Sequence, residues 1–429
     1  MTIAGRSQHG AKRAAGATYI IVLSSAVIVT VIGLSALLAV RVQRQAAEAG
    51  TDMVDARLYA EAAVDWGLLA IRQNDTWRTT FPNGVWIADR PVGQGAFTLE
   101  GIDPEDGDLT DSPTDPLILI GTGVKGTARH RIEVRLAAKL PPLDCLSVAV
   151  QAGNDVVFGD RVVVRCDQII SANDDVRAGH TCKIYADVEA VDQVRGRGYM
   201  GSITTGIAPR AMPAEDAFDY YLDNGVHIDV EAIPELDGKR TIQQVVLSPA
   251  NNPFGTDTSR EGIYVIDCRG RDIVITEARL VATLLLLNPG RDSRICGSIN
   301  WEPAVPNYPA LMVSGDISLQ LREWELVEGA PNNTNFNPPG TPYRGVADMD
   351  KDDFYPSRIR GLLYVSGDLT VSESTRIDGV AIAGRNCRVA NDSTFRLRYR
   401  DTAYKAPPPG FTAAPEMYVV AGSWRQLTD

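Results

Sequence analysis

An uncharged apolar run at residues 17–40 constrains this chain more than any other feature. As a helix it would reach about 36 Å at 1.5 Å per residue, enough to cross a hydrocarbon core of about 30 Å. A secretory signal has a shorter apolar region of about 7–15 residues. The sequence therefore predicts a retained, single transmembrane helix. Because Lys12 and Arg13 precede it, we expect a cytoplasmic N-terminus, the inner (cytoplasmic) membrane, and a periplasmic or extracellular bulk.

Small residues continue beyond the span with alternating spacings of four and three, the spacing of a heptad seam. The pattern predicts one helix over 17–76 and a packing seam that admits another helix or sheet closely. Two interpretations are open: an interface with other subunits, or a stalk that packs on its own domain. The seam consists of Ala49, Met53, Ala56, Ala60 and Ala63.

The stretches "KRAAGATYIIVLSSAVIVTVIGLSALLAV" and "ARLYAEAAVDWGLLAIR" resemble the N-terminal region of type IV pilus minor pilins of the PilX type and of pseudopilins. The resemblance implies a basic leader, 1–16, that a prepilin-type peptidase removes after Gly16, leaving Ala17 first. Most major pilins carry glutamate at the position of Ile21, so this chain departs from them there. The resemblance also implies the membrane and other pilin or pseudopilin subunits as partners.

Residues 77–140 contain "GTGVKG", which has the spacing of a dinucleotide-binding turn. That motif requires a following helix, whereas Ile132, Val134 and Leu136 alternate with charged residues, as in a strand. The sequence therefore predicts a hairpin in a small antiparallel sheet, and no cofactor. A sheet laid on a long N-terminal helix is the arrangement that the resemblance to pilins implies.

Short β-rich runs separated by Gly, Asn and Asp fill residues 141–400, and Gly367 and Gly384 mark a repeat of about one coil. We expect a parallel β-helix (solenoid) with excursions near 205–258 and 322–357, then a tail over 401–429. The fold class is therefore mainly β with a long N-terminal α-helix. In one run we expect inward Leu363, Val365, Leu369 and Val371 to alternate with outward Tyr364, Ser366 and Thr370.

Two acidic loops, "DPEDGDLTDSPTD" and "DMDKDD", could hold Ca²⁺, but neither has the spacing of an EF-hand. We interpret both as solvated turns and predict no metal site. The six cysteines include no CxxC pair, so disulfides and buried thiols are both open, and Cys166 and Cys182 could bond. The chain has no GxSxG, HExxH or Walker motif, and we expect neither catalytic residues nor an enzyme.

The chain is acidic, with 54 Asp and Glu against 42 Lys and Arg, which argues against nucleic acid as a partner. We expect a structural, exported component of a type IV pilus or type II secretion-like apparatus, with the solenoid as a tip or adhesive head. A surface ligand or extracellular polysaccharide is a further expected partner. The alternatives are a non-polymerising envelope protein that binds polysaccharide or protein and, less favoured, a carbohydrate-active β-helix enzyme.

Overall fold

The computed structural model describes residues 11–428, and it describes side chains from Thr18 onward. The chain divides into two compact units. The first contains Met1–Lys139 and Pro415–Asp429, and the second contains Leu140–Ala414. The leader predicted for 1–16 lies largely outside the described residues.

The first unit is built on one long helix, α1 (Ala11–Gln73), followed by a short helix, α2 (Trp77–Thr80). Its antiparallel sheet contains β1 (Gly84–Val92), β2 (Gly95–Ile102), β3 (Leu117–Lys125) and β4 (Ala128–Lys139). The first five residues of "GTGVKG" lie in β3 and Gly126 lies in the turn, and β3 pairs with β4 as the predicted hairpin. The apolar core between helix and sheet includes Val64, Leu99 and Leu119.

Helix α1 approaches β3 so closely that only glycine fits at two positions of the strand. A β-carbon on Gly121 would lie 2.2 Å from the carbonyl oxygen of Ala60, and one on Gly123 would lie 2.0 Å from that of Ala56. These distances are well inside van der Waals contact, so a side chain at either position would push the helix away. The glycines that resemble a phosphate-binding turn therefore serve as a flat surface for the helix.

The second unit is a solenoid of short, mostly parallel strands, preceded by a 3₁₀ turn at Asp144–Ser147. Its first nine strands are β5 Val150–Ala152, β6 Val156–Phe158, β7 Val163–Cys166, β8 Ile170–Ala172, β9 Val176–Ala178, β10 Lys183–Tyr185, β11 Val188–Ala190, β12 Val194–Arg195 and β13 Ile203–Thr205. A 3₁₀ turn at Glu215–Phe218, helix α3 (Asp219–Asn224) and a 3₁₀ turn at Val230–Ala232 follow in the next segment.

The remaining strands of this unit are β14 Val226–His227, β15 Glu235–Leu236, β16 Lys239–Gln243, β17 Val246–Leu247, β18 Ile263–Asp267, β19 Ile273–Val281, β20 Thr283–Leu287, β21 Arg294–Glu302, β22 Pro309–Ser314, β23 Ile317–Leu321, β24 Leu326–Val327, β25 Phe354–Tyr355, β26 Arg358–Val365, β27 Leu369–Val371, β28 Arg376–Ala383, β29 Cys387–Val389 and β30 Thr394–Arg398. Helix α4 (Thr402–Lys405) comes last.

The coils of the solenoid do not stack in chain order. The first coil, β5 to β7, lies between the second coil, β8 to β10, and the last, β28 to β30. The chain therefore starts in the middle of the stack, builds towards one end as far as β13, and restarts at the other end with β14. From there it returns coil by coil until Ala381 pairs with Val150.

The interior of the solenoid is apolar, as the alternation along the strands predicts. Leu363, Val365, Leu369 and Val371 are all completely buried in it. Tyr364 points away from this interior, but it is buried too, contrary to the expectation that it would face solvent. It belongs to a second apolar cluster outside the solenoid, to which Phe218 and Phe411 also contribute.

The two expected excursions behave differently. Residues 322–357 leave the solenoid as expected, with β24 and β25 paired antiparallel at the base of the loop. Within 205–258, the 3₁₀ turn and α3 form near the expected position, but β14, β16 and β17 rejoin the solenoid as its end coil. Their brevity, two to five residues each, conceals them in the sequence.

The segment treated as a tail returns to the first unit. Two strands, β31 (Glu416–Val419) and β32 (Arg425–Leu427), pair with β4. The sheet order is thus β1-β2-β3-β4-β31, with β32 also on β4. The outer edge of a 12-residue strand would otherwise expose unpaired backbone groups, and the returning segment covers that edge. The expected fold class, a long helix, a small antiparallel sheet and a parallel β-solenoid, is confirmed.

Replacing Gly123 by alanine should destabilise the first unit, by about 1–3 kcal/mol, because the added methyl group overpacks the contact with α1. Replacing Gly50 by alanine is the matched control, since its β-carbon would meet nothing within 4 Å. That change should stabilise the helix by about 0.5–1 kcal/mol. Thermal unfolding of the two full-length variants in detergent measures both effects. Equal stability of the two variants would contradict the close contact.

Candidate assembly helix and solenoid surfaces

The N-terminal half of α1 is an apolar rod that the protein itself leaves uncovered. We call Thr18–Val42 the apolar segment. The exposed fraction of its large apolar side chains ranges from 56% at Leu23 to 71% at Tyr19. Within the described residues it lies on the one helix long and apolar enough to cross a membrane, with a mean hydropathy of 2.6 in its most apolar window. A single N-terminal helix of this kind is compatible with anchoring in a membrane.

Two hydroxyl groups of the apolar segment have partners within the helix. The Ser25 hydroxyl donates to the carbonyl of Val22 at 2.9 Å, and the Thr30 hydroxyl donates to that of Ala26 at 2.8 Å. Hydroxyl groups bonded in this way do not require water, so the segment can lie in lipid or against other apolar helices.

The structure separates the predicted seam into two parts. Ala56, Ala60 and Ala63 are completely buried against the protein's own sheet, whereas Met53 is 48% exposed and Ala49 is also exposed. The small residues of the buried part therefore serve the packing of the first unit on its own helix. Only the N-terminal part of the seam remains available to another molecule.

A lysine fastens the helix where the buried part of the seam begins. The ammonium group of Lys125, at the end of β3, lies 3.3 Å from a carboxylate oxygen of Asp52 and donates a hydrogen bond to Asp55. The hydrogen bond to Asp55 is the main cause that raises the pKa of Lys125. Sequence reasoning missed this role because Lys125 was considered only as part of a cofactor motif.

The predicted cleavage position falls at the start of α1. The backbone of Gly16 and Ala17 is helical, while the side chain of Ala17 lies outside the described ones. Cleavage between them therefore stays a prediction.

One outer face of the solenoid is covered by the protein's own chain. Phe218, Tyr221 and Phe411 pack over Tyr364 and Ile382 in the second apolar cluster. The Tyr221 ring also meets the Tyr308 ring edge-on, with centroids 5.6 Å apart. A ligand could bind on this face only by displacing these aromatic side chains.

Some acidic side chains on the rest of the solenoid surface are paired with arginines. Asp175 accepts hydrogen bonds from Arg177, and Asp155 lies 3.1 Å from the same guanidinium. The hydrogen bond from Arg177 is the main cause that holds the pKa of Asp175 below its ordinary value. Acid–base catalysis on a polymer instead needs a carboxyl group free to exchange a proton near neutral pH.

A cavity of about 440 Å³ opens beside α4 and contains the acids Glu302 and Asp378. Glu302 lies 3.2 Å from Arg360, and the completely buried Asp378 lies 2.8 Å from Arg358 and 3.0 Å from Arg376. Both carboxylates of this cavity are therefore paired with arginines, of which Arg360 also lines the cavity.

The two acidic loops of the sequence differ in the structure. Asp103, Asp106 and Asp111 gather in the first loop, near the charge of Arg78. In the second loop, Asp348 and Asp353 meet Glu328, which lies 20 positions before Asp348 in the chain. Asp350 and Asp352 stay exposed. Sequence reasoning missed Glu328 because no spacing rule connects it to the aspartates.

All six cysteines are free thiols in the structure; four are buried, whereas Cys166 and Cys296 are half-buried, and Cys166 and Cys182 are not bonded to each other. The Cys166 thiol donates to the carbonyl of Gln168 at 3.0 Å, and the Cys182 thiol donates to that of Gly159 at 2.9 Å. Burial raises the pKa to about 12 for Cys145, Cys166, Cys268 and Cys387. Such thiols are poor nucleophiles at neutral pH.

Comparison with known proteins gives structural similarity but no family. No family model matches the chain, and a search of curated proteins finds no match either. Among solved structures, the chain is similar to the competence-associated pilin ComZ from Thermus thermophilus, with 12% identity and a TM-score of 0.38, over 88% of this chain and 98% of that chain.

Two ice-binding proteins are also similar over about three fifths of the chain. One, from an Antarctic Biological Consortium, has 13% identity and a TM-score of 0.23, over 60% of this chain and 91% of that chain. The other, from the Antarctic ascomycete Antarctomyces psychrotrophicus, has 10% identity and a TM-score of 0.22, over 59% of this chain and 97% of that chain. These similarities do not assign the chain to a family.

Proposed function

We propose that the protein is a membrane-anchored, structural subunit of an exported assembly of the type IV pilus or type II secretion kind. One observation carries this proposal: α1 is a single continuous helix with two environments. Its C-terminal half is docked on the protein's own sheet, and its apolar segment is fully exposed. An exposed apolar rod of this length requires lipid, or apolar helices of other subunits, around it.

The more specific proposal is a minor pilin or pseudopilin of the PilX type, which carries the solenoid as a tip or adhesive head. The resemblance of residues 12–40 and 56–72 supports it. Ile21, in place of the glutamate of most major pilins, favours a rare component over a repeating shaft subunit. The size of the solenoid unit, Leu140–Ala414, also favours a rare component, because a filament built from repeated copies would have to accommodate this unit on every subunit.

The proposed location is the inner membrane, with the N-terminus in the cytoplasm and the chain that follows the apolar segment beyond the membrane. Lys12 and Arg13 support this orientation, because positively charged residues flanking a span favour the cytoplasmic side. Other pilin or pseudopilin subunits are the proposed partners of the apolar segment, and a surface polymer or protein is the proposed ligand of the solenoid.

A non-polymerising envelope protein is the second candidate, and one observation favours it. The buried seam residues pack on the protein's own sheet and are not available to another subunit, as expected of a stalk that packs on its own domain. They are Ala56, Ala60 and Ala63. The two candidates differ in what they demand of Gly16 and of Ala49, and experiments on these residues distinguish them.

Processing is the first test. In cells that contain a prepilin-type peptidase, we expect cleavage between Gly16 and Ala17, with the apolar segment retained in the membrane. Mass spectrometry of the N-terminal peptide from membrane fractions measures it, with a Gly16→Leu variant as the uncleaved control. Retention of Met1, or cleavage beyond Val40, would refute the pilin proposal and leave the envelope candidate.

The seam gives a second test, because its two parts should respond differently to the same change. Ala60→Leu should lower the free energy of unfolding of the first unit by about 1–3 kcal/mol, since the larger side chain has no room against β3. Ala49→Leu should leave unfolding unchanged but weaken recovery of partner pilins after cross-linking.

Thermal unfolding and cross-linking of both variants in parallel distinguish the two effects. If Ala49→Leu recovers partners as well as the unmodified protein does, the exposed part of the seam is not an assembly surface. If Ala60→Leu unfolds at the same temperature, the buried part is not tightly packed.

We further propose that the solenoid binds without catalysing a reaction. The pairing of Glu302 and Asp378 with arginines supports this. The purified protein should leave a panel of acidic and neutral polysaccharides intact, as measured by reducing ends released over a day. Cleavage that Glu302→Gln abolishes, while Glu323→Gln on the surface preserves it, would instead establish an enzyme.

A further inference from the structure

The loop that leaves the solenoid between β23 and β26 has a small core of its own. Leu326, Phe336 and Tyr355 are completely buried in it and pack with Val246 of the solenoid. At the base of the loop, Leu326 pairs with Tyr355 in the antiparallel ladder of β24 and β25. The loop is therefore a folded structure rather than a solvated turn.

A buried arginine of the solenoid holds the middle of this loop in place through hydrogen bonds. Arg279, 1% exposed, donates to the carbonyl oxygens of Phe336 at 2.6 Å, Thr341 at 2.7 Å and Pro342 at 2.8 Å. Its guanidinium carbon also lies 5.3 Å from the centre of the Tyr343 ring. The charge of Arg279 is thus directed at backbone carbonyls, and it forms no ion pair with a carboxylate of the described residues.

Three carboxylates meet inside the loop. Glu328 is completely buried, Asp348 and Asp353 are half-buried, and one oxygen from each lies within 4.8 Å of the others. Among the described residues, no Lys, Arg or His nitrogen lies within 4.0 Å of these three groups. The exposed Lys351 of the same loop donates instead to the carbonyl of Asn333, at 2.8 Å.

Such a group of negative charges is expensive without a cation. Removing an ion from water costs several kcal/mol even after the protein relaxes, and buried charges are as a rule paired or bound to metals. The backbone and Tyr355 hydroxyl donors on Glu328 hold this carboxylate in place, but they do not cancel the charge of the three acids together.

A buried asparagine beside the acids has one polar atom without a partner. The Asn337 side chain, 1% exposed, has its amide nitrogen 2.8 Å from Asp353 and 3.2 Å from Asp348, while its amide oxygen is buried without a hydrogen-bond partner. A carboxylate oxygen of Asp348 is also buried without a partner. Turning the amide over exchanges its oxygen and nitrogen. Its oxygen would then face the carboxylates, an arrangement that a cation between them would stabilise.

We propose that Glu328, Asp348 and Asp353, together with the amide oxygen of Asn337, bind a divalent cation with the chemistry of Ca²⁺. All of the ligands are hard oxygen atoms, which suit Ca²⁺ rather than zinc or copper. Ca²⁺–oxygen distances of about 2.3–2.6 Å place two ligands of one ion at most about 5 Å apart, and the three carboxylate oxygens all lie within 4.8 Å of one another, so one ion can reach all three. The ion holds Glu328 to the two aspartates, whereas Arg279 holds the segment from Phe336 to Pro342.

The experiment uses the full-length protein in detergent, in CaCl₂, in MgCl₂ or in EDTA. Trypsin can cut the exposed loop after Arg344 and Lys351, and N-terminal sequencing of the fragments identifies those cuts. At a Ca²⁺ concentration ten times the dissociation constant, the open loop should be populated about tenfold less, so cleavage should slow about tenfold. Calorimetric titration with CaCl₂ should give one site, and Mg²⁺ should protect less.

Variants in the same acidic stretch provide matched controls. Asp348→Asn should abolish protection by Ca²⁺, yet in EDTA its loop should resist trypsin at least as well as the unmodified loop, because one repelling charge is gone. Asp353→Asn should behave in the same way. Asp350→Asn, two positions along and exposed, should keep full protection.

Three results would overturn the proposal. The first is an unmodified protein whose cleavage and titration do not respond to Ca²⁺ at about 5 mM, above the dissociation constants of about 10⁻⁴–10⁻³ M of extracellular calcium modules. The second is an Asp348→Asn variant that keeps its response. The third is an Asp348→Asn loop that is cut faster in EDTA, which would mark a structural role for the carboxylate rather than a metal ligand.

Discussion

The contact between the helix α1 and the glycines of β3 is the constraint on which the N-terminal unit depends. Because Gly121 and Gly123 have no side chains, the helix backbone lies directly against the strand, and Ala56 and Ala60 are buried there. The ion pair of Lys125 with Asp52 fixes the helix at one end of this contact. From Thr18 to Thr51 the side chains of the helix are exposed, so the same helix is both a structural element and an exposed apolar surface.

The solenoid depends on a different kind of contact, the stacking of its first coil on its last. The pairing of Ala381 with Val150 joins segments more than two hundred residues apart. It also brings the two ends of this unit together, so that the unit can be inserted in the chain between β4 and β31 of the small sheet. The chain enters and leaves the solenoid at paired positions, since the Ala413 amide donates to the Pro141 carbonyl at 2.8 Å.

Buried charge explains why the largest loop of the solenoid is ordered. Arg279 is enclosed by three backbone carbonyls and two tyrosine rings, and burial lowers its pKa. Glu328 is enclosed by donors in the same loop. Each group is costly to bury and meets these partners only when the loop closes around it, so specific polar contacts hold the loop together with its small apolar core.

The sequence alone determined the features that arise from local periodicity. The uncharged run and the seam predicted one long helix, the alternation at Ile132, Val134 and Leu136 predicted a strand rather than a cofactor site, and the short Gly-separated runs predicted a solenoid. Each of these patterns is visible within about twenty residues, because helix and strand periods repeat along the chain.

Only the tertiary structure decided which distant segments meet. It placed the first coil on the last, returned β31 to β4, covered Tyr364 with Phe411, and brought Glu328 to Asp348. No local pattern marks these pairs, because their contacts are chosen by competition among many distant segments for the same edges and apolar faces. The sequence therefore specified the elements of this protein, whereas long-range packing and the satisfaction of buried charge specified their neighbours.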